Sequence, residues 1–253
     1  MRKVQRLAAG LLALSLSIAC AQAEILTIDI DRASYEEINT AYQQLKQARM
    51  EKLKETYAAS YTPEPKSDIM FRGIPWGTTR SEVEQQIGLP SQYNTAYAYV
   101  RQGVVDDDIG LYTSYKKEKC LKLAGYSVKY TDISYAYPVV DGTLIRDTNL
   151  AVMYYAEYDL WDVGDPDEIV EDLTKKLVQL YGDYRNDGSG KRIWSDSANN
   201  EITLDSSATR VYACYISGDA GRLTSEAAQA RDDELAEQEE LLRLQNQNNY
   251  DGL

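Results

Sequence analysis

Hydrophobic residues recur every three or four positions in four segments of the chain and alternate with polar residues between those segments. In the first helical segment, a capping-box spacing at Ser34 and Glu37 indicates the start, and Pro63 and Pro65 predict a linker after it. Its apolar stripe consists of Tyr35, Ile38, Tyr42, Leu45, Ala48, Leu53 and Tyr57. We therefore predict an amphipathic helix through about residue 58, within a segment of helix and linker at 24–62.

Two shorter helices carry clear start and stop signals. Thr79 and Glu82 have the spacing of a second capping box, and Gly88 predicts the end of that helix. The third helix begins at Asp165, which is followed by proline and two acids, and closes at Gly182. A last helix is predicted over 224–246, with a disordered tail over 245–253.

The segments between these helices have a period near two, which predicts antiparallel strands. They include the run around Tyr126 and Tyr130 and the later segments 192–195, 201–204 and 210–216. In 210–216 the odd-numbered and the even-numbered positions are both apolar, which predicts a central strand covered on both faces. A helix followed by strands occurs twice, so we read a loose internal repeat.

These elements define an α+β fold, in which an antiparallel sheet packs with short helices and is flanked by a helix at each end. The α+β domain spans 63–217, with two candidate helix-plus-sheet repeats at 68–160 and 161–217. Residues 218–253 form the C-terminal helix and tail.

The N-terminal 1–23 segment has the layout of an export signal, with a basic start, a short apolar core and small residues before Glu24. We prefer cleavage after Ala23, which makes the protein secreted or periplasmic, with no transmembrane segment in the mature chain. The alternative is a lipid anchor on Cys20, although Ser17 stands where a lipobox has a branched apolar residue.

Charge and composition narrow the function classes. The whole chain has a net charge of −13, and removing the three basic residues of the signal gives −16, which argues against nucleic acid as a partner. There is no histidine, so serine–histidine and cysteine–histidine hydrolases are excluded. No metal-ligand or phosphate-binding spacing occurs, so we expect no metal, no cofactor and no catalytic residues.

The two cysteines outside the signal, Cys120 and Cys214, leave two interpretations open. In an exported protein they can form one disulfide, and in the other interpretation they are two buried thiols.

The run Gly77-Thr78-Thr79, with Val83, Ile87-Gly88 and Pro90, resembles a motif of small extracytoplasmic α+β modules. These are the beta-lactamase inhibitor protein-like fold and the related outer-membrane assembly lipoproteins. The resemblance implies protein–protein binding or envelope assembly rather than catalysis.

Tyrosine dominates the aromatic residues, with 21 Tyr against one Phe. Because tyrosine combines an apolar ring with a polar tip, it suits half-exposed sheets and binding surfaces. We predict a contact surface that comprises a tyrosine-rich sheet face with Tyr126 and Tyr130 and the segment from Phe71 to Gly77, with Trp76 as its anchor.

The function expected from these features is that of an exported non-catalytic binding or envelope-interaction protein with an unidentified protein or glycan partner. The alternative is a cell-wall or carbohydrate-active protein that uses aromatic stacking and carboxylates.

Overall fold

The computed structural model describes residues 34–63, 66–88, 96–97, 108–116, 122–161 and 164–250. The chain divides into two compact units, residues 1–60 and residues 61–253. The predicted export signal, Cys20 and Cys120 lie outside the described residues. Cleavage, lipidation and export therefore stay predictions.

In the first unit, helix α1 spans Tyr35–Ser60. Its capping box is formed as predicted, because the Ser34 N–H donates to Glu37 Oε2 at 2.7 Å and the Glu37 N–H donates to Ser34 Oγ at 3.3 Å. The helix ends two residues beyond the predicted boundary.

In the second unit, an eight-stranded antiparallel sheet has the order β1-β2-β5-β8-β12-β11-β10-β9, and two small hairpins, β3–β4 and β6–β7, accompany it. The α+β class is confirmed. The strands are β1 (Ala96–Tyr97), β2 (Gly110–Lys116), β3 (Lys122–Leu123), β4 (Tyr126–Ser127), β5 (Tyr130–Ala136), β6 (Val139–Val140), β7 (Thr143–Leu144), β8 (Val152–Trp161), β9 (Arg185–Asn186), β10 (Arg192–Ser195), β11 (Glu201–Ser207) and β12 (Arg210–Ile216).

The sheet consists of two four-stranded halves, each preceded in the chain by one helix. Helix α2 (Arg80–Ile87) precedes the half β1-β2-β5-β8, and helix α3 (Pro166–Tyr181) precedes the half β9-β10-β11-β12. The last strands of the two halves, β8 and β12, pair with each other at the centre. The central position predicted for 210–216 is therefore confirmed.

Both short helices have the predicted ends. Thr79 caps α2 in a complete capping box with Glu82, and Gly88 ends it in the left-handed conformation at φ 68°. Asp165 caps α3 by accepting hydrogen bonds from the backbone N–H groups of Asp167 and Glu168.

The C-terminal helix α4 spans Ala220–Tyr250, so it starts earlier than predicted and runs through most of the predicted disordered tail. The prediction of disorder over residues 245–250 is wrong, because a helix that is already formed gains one hydrogen bond for each residue it adds. Near its start, Ala227 and Ala230 pack against Leu144 of β7. Among the described residues, none of the helices is long and apolar enough to cross a membrane.

The two faces of the large sheet differ in what lies on them. The core face is covered by α2, α3 and residues 69–76, and its inward side chains include Ile133, Tyr135, Ala156, Tyr158, Leu160, Trp194, Ile202, Leu204, Val211, Ala213 and Tyr215. The alternate positions form the opposite face, called the polar face here, and include Tyr130, Asp132, Tyr155, Glu157, Asp159, Trp161, Arg210, Tyr212 and Cys214.

Candidate binding surface

Two of the four residues predicted for a contact surface are buried in the core. Phe71 is 0% exposed and Trp76 is 1% exposed. The Phe71 ring packs on Tyr158 with centroids 5.2 Å apart, and Trp76 Nε1 donates to the Ile69 carbonyl at 2.9 Å. They hold residues 69–76 against the core face, so Trp76 is a core anchor rather than the predicted surface anchor.

The local backbone explains why this segment turns inward. Phe71 and Ile74 form an isolated antiparallel bridge around a tight turn in which Arg72 and Gly73 have φ values of 56° and 76°. This turn presents both bridge residues, which are buried, to the same side. The sequence pattern Phe-Arg-Gly-Ile therefore encodes a core-covering turn.

Tyr126 lies in the hairpin β3–β4, beside α3. Its hydroxyl donates to Asp172 Oδ2 at 2.8 Å, and this hydrogen bond raises the pKa of Tyr126. Lys176 Nζ lies 5.2 Å from the Tyr126 ring centroid and donates to the Ala124 carbonyl at 3.1 Å. These contacts fasten the hairpin to α3, so Tyr126 serves packing in this structure.

Of the four predicted residues, Tyr130 alone lies on the polar face. Its ring meets Trp161 edge-on, with centroids 6.0 Å apart and an interplanar angle of 76°. The predicted site residues are therefore divided between the two sides of the sheet, and the structure does not bring them together.

Trp161 is the centre of an aromatic and cationic cluster at one end of the polar face. The Arg210 guanidinium carbon lies 3.1 Å from the Trp161 ring centroid, and Lys129 Nζ lies 3.7 Å from it. We call Lys129, Tyr130, Asp159, Trp161 and Arg210 the Trp161 cluster. Arg210 sits directly across from Trp161 in the β8–β12 register, which explains the contact.

A hydrogen bond to Asp159 holds the Trp161 ring in place. Trp161 Nε1 donates to Asp159 Oδ2 at 2.5 Å, and Arg210 Nη1 lies 4.0 Å from the same oxygen. Asp159 is only 7% exposed. Burial raises the pKa of Asp159, although the Trp161 hydrogen bond and the Arg210 charge act in the opposite direction.

A second group of polar side chains lies at the middle of the same face. Asp132 of β5 and Cys214 of β12 both sit directly across from Glu157 of β8. Cys214 Sγ donates to Glu157 Oε2 at 3.3 Å, and the Tyr155 hydroxyl donates to the same oxygen. Burial, followed by the proximity of Cys214 and Glu157, raises the pKa of Tyr155.

Cys214 is one of the two cysteines considered for a disulfide. It is buried, and it lies on the polar face rather than in the main core. Since Cys120 lies outside the described residues, the disulfide stays a prediction.

Asp132 and Glu157 stand side by side on neighbouring strands, Asp159 follows Glu157 on β8, and Glu157 and Asp159 accept hydrogen bonds from Cys214 and Trp161. Within the ranges that the structure describes, no group of three or more His, Cys, Asp or Glu side chains is arranged to hold a metal ion. The arrangement provides an ordered aromatic surface with charged groups already in position.

Sequence reasoning did not place Trp161, Arg210 or Lys129 in the predicted contact surface. The available signal was the alternation Glu157, Asp159, Trp161 along one strand, which places three polar or amphipathic side chains on one face. Arg210 and Lys129, which contact Trp161, come from other segments of the chain. Only the pairing of the strands therefore reveals the cluster.

No protein-family model, curated protein or solved structure matches this chain.

Proposed function

We propose that this chain is an exported, non-catalytic binding protein that contacts a protein partner through its polar face. The observation that carries the proposal is the Trp161 cluster, in which a tryptophan, an arginine, a lysine and a tyrosine converge on one sheet face. Trp, Tyr and Arg are the residue types enriched at the energetic centres of protein interfaces.

The cluster is ordered before any partner arrives. Trp161 is held by Asp159 through its indole N–H, and its ring in turn orients Arg210. Side chains that are already immobilised lose less conformational entropy on binding, so more of the contact energy remains as affinity.

The layout of the sheet supports a contact surface at the end of the polar face that carries the Trp161 cluster, since Cys214 at the middle of that face is buried. The core face packs against α2, α3 and residues 69–76, so its aromatic residues are engaged within the protein. The two helix-plus-four-strand halves are in keeping with the resemblance to beta-lactamase inhibitor protein-like modules, which implies protein binding.

The carbohydrate-active alternative has less support. A sugar that stacks on Trp161 needs an open ring face, and the Arg210 guanidinium lies 3.1 Å from the ring centroid. A glycosidase needs two carboxyl groups that flank the scissile bond, one to donate a proton. Glu157 and Asp159 instead accept hydrogen bonds from Cys214 and Trp161.

Site-specific photo-crosslinking tests the proposed surface. A photoreactive phenylalanine analogue replaces Tyr212 on the polar face, and in a matched control it replaces Leu180, which is 72% exposed on α3. In intact host cells we expect a discrete protein adduct from position 212 and none from position 180. Equal adducts from both positions, or none from position 212, contradict the proposal.

Two further measurements separate the alternatives. N-terminal sequencing of the protein from the extracytoplasmic fraction is expected to begin at Glu24, and an uncut N-terminus contradicts export.

Incubation with host cell-wall polysaccharide is expected to release no reducing ends. Release that is lost in Glu157→Gln, in a variant that keeps its fold, favours the carbohydrate-active alternative.

A further inference from the structure

Arg210 has more hydrogen-bonding capacity than the protein uses. Among the residues that the structure describes, it donates one hydrogen bond, from Nη1 to the Tyr212 hydroxyl at 3.4 Å. The 4.0 Å separation from Asp159 Oδ2 is too long for a second one. A guanidinium has five N–H donors, and the Arg210 side chain is 32% exposed, so it retains donors beyond the one hydrogen bond to Tyr212 and is partly open to a ligand.

Stacking on Trp161 leaves those donors usable. The guanidinium carbon lies 3.1 Å from the ring centroid, a separation that fits two stacked planar groups, and the N–H groups of a stacked guanidinium lie along its edge. The ring is itself held by the hydrogen bond from Nε1 to Asp159. Asp159 and Trp161 therefore act as positioning residues that set the plane of Arg210.

We propose that Arg210 receives a carboxylate from an acidic segment of the protein partner. This inference rests on the proposed function, because it names the chemistry that the polar face recognises. A carboxylate is planar and offers two acceptor oxygens, which match two parallel N–H groups of a guanidinium. Lys129, over the same ring, adds a second positive charge at this end of the sheet.

The overall charge of the chain favours a carboxylate over more strongly charged ligands. With a net charge of −13, the protein repels polyanions such as nucleic acid or an anionic membrane surface. At physiological ionic strength, screening over about 8 Å limits the repulsion that the distant acids exert on a single carboxylate. The Trp161 cluster thus places two cationic side chains, Arg210 and Lys129, around one ring on an acidic protein.

The test uses two short blocked peptides with aromatic flanks, identical except that two glutamates in one are glutamines in the other. Each is titrated into the full-length ¹⁵N-labelled protein, and the Trp161 indole N–H signal is followed by NMR. The indole signals of Trp76 and Trp194 are internal controls, since their Nε1 atoms donate to the carbonyls of Ile69 and Gly182. We expect the glutamate peptide to shift the Trp161 signal and the glutamine peptide to bind roughly tenfold more weakly or worse.

Arg210→Gln and the charge-retaining Arg210→Lys are both expected to lose the discrimination between the peptides, because neither side chain has the two parallel N–H groups of a guanidinium. Unchanged Trp76 and Trp194 signals confirm that each variant is folded. Equal shifts from both peptides, no shift from either, or full discrimination in Arg210→Gln overturns the inference. A shift reproduced by sodium acetate at equal carboxylate concentration also overturns it, since the site then attracts any anion.

Failure of this inference is distinguishable from failure of the proposed function. Photo-crosslinking at position 212 does not depend on the peptides. If adducts form there and survive in Arg210→Gln, the polar face remains the contact surface and its chemistry is different. If no adduct forms in either background, the proposed surface itself is wrong.

Discussion

The two faces of the sheet use aromatic residues for opposite purposes. On the core face, Phe71, Tyr158 and Tyr215 pack against one another with ring centroids 5.2 to 6.0 Å apart, and all three are buried. On the polar face, Trp161 and Tyr130 are half-buried and meet cations. An abundance of aromatic residues therefore does not locate a binding surface; the side of the sheet on which each residue falls does.

Two tryptophan substitutions give the sharpest contrast between the faces. We expect Trp76→Ala to lower the free energy of unfolding by about 3–5 kcal/mol, because it leaves a cavity and removes a buried hydrogen bond. Trp161→Ala is expected to cost about 2 kcal/mol, because it removes cation–π contacts and the hydrogen bond to Asp159 but opens no cavity in the core. Chemical denaturation measures both, and a cost for Trp161→Ala equal to that for Trp76→Ala contradicts the distinction.

A carboxylate that supports the core face gives the next largest effect. Asp196 accepts hydrogen bonds from the backbone N–H groups of Ile69, Ala198 and Asn200 and from the Asn200 side chain. Burial alone raises the pKa of Asp196, but these hydrogen bonds outweigh it and lower the pKa below its usual value. We expect Asp196→Asn to cost about 2 kcal/mol at pH 7, measured by denaturation.

The pH dependence of this effect has a definite sign. Since the folded-state pKa is depressed, the stabilisation by Asp196 is complete above the unfolded pKa of about 3.9 and is lost as pH falls through the folded value. The difference between wild type and Asp196→Asn should therefore shrink on acidification. The exposed Glu239→Gln on α4 is the matched control, and a gap that is constant with pH argues against this account.

Removing a single hydroxyl group at Tyr126 or at Tyr130 compares the β3–β4 hairpin with the polar face. Tyr126→Phe removes the hydroxyl that donates to Asp172, and we expect a loss of about 1 kcal/mol. Tyr130→Phe keeps the ring contact with Trp161 and is expected to change stability by less. Combining Tyr126→Phe with Lys176→Ala should give less than the sum of the single losses, because both residues contact Asp172. Strict additivity would contradict a shared contact.

The smallest expected effect comes from Asp159, the polar-face counterpart of Asp196. Its folded-state pKa is raised, so its contribution to stability is greatest below about pH 3.9 and is lost as pH rises through the folded value. In denaturation experiments, the free energy of unfolding of Asp159→Asn should rise relative to that of the wild type as pH increases from 4 to 7. A relative loss over that range would contradict burial as the dominant influence.

The elements that depend on local chemistry could be predicted from the sequence. Thr79 and Glu82, and Asp165 with the proline after it, gave the start of each short helix. The doubly apolar pattern of 210–216 gave its central position in the sheet. These features depend on residues within one turn or one strand, so their signal is present in the sequence itself.

The residues of the Trp161 cluster could not be predicted from the sequence in the same way. Trp76 and Trp161 are the same residue type near turns, and only tertiary packing sends one into the core and leaves the other on the polar face. The contacts of Trp161 with Lys129 and Arg210 depend on how β5, β8 and β12 are aligned. Strand pairing between distant segments leaves no short-range spacing signal.

The pairing of β8 with β12 has a consequence for the order of events during synthesis. The first half of the sheet is complete once Trp161 has been made, yet the strand that covers its edge ends at Ile216. Until then, a ten-residue strand with buried apolar side chains presents open backbone groups to any other extended chain. Newly made chains are thus most prone to aggregate in that interval, and a fragment that stops before β12 should be recovered mainly as insoluble material.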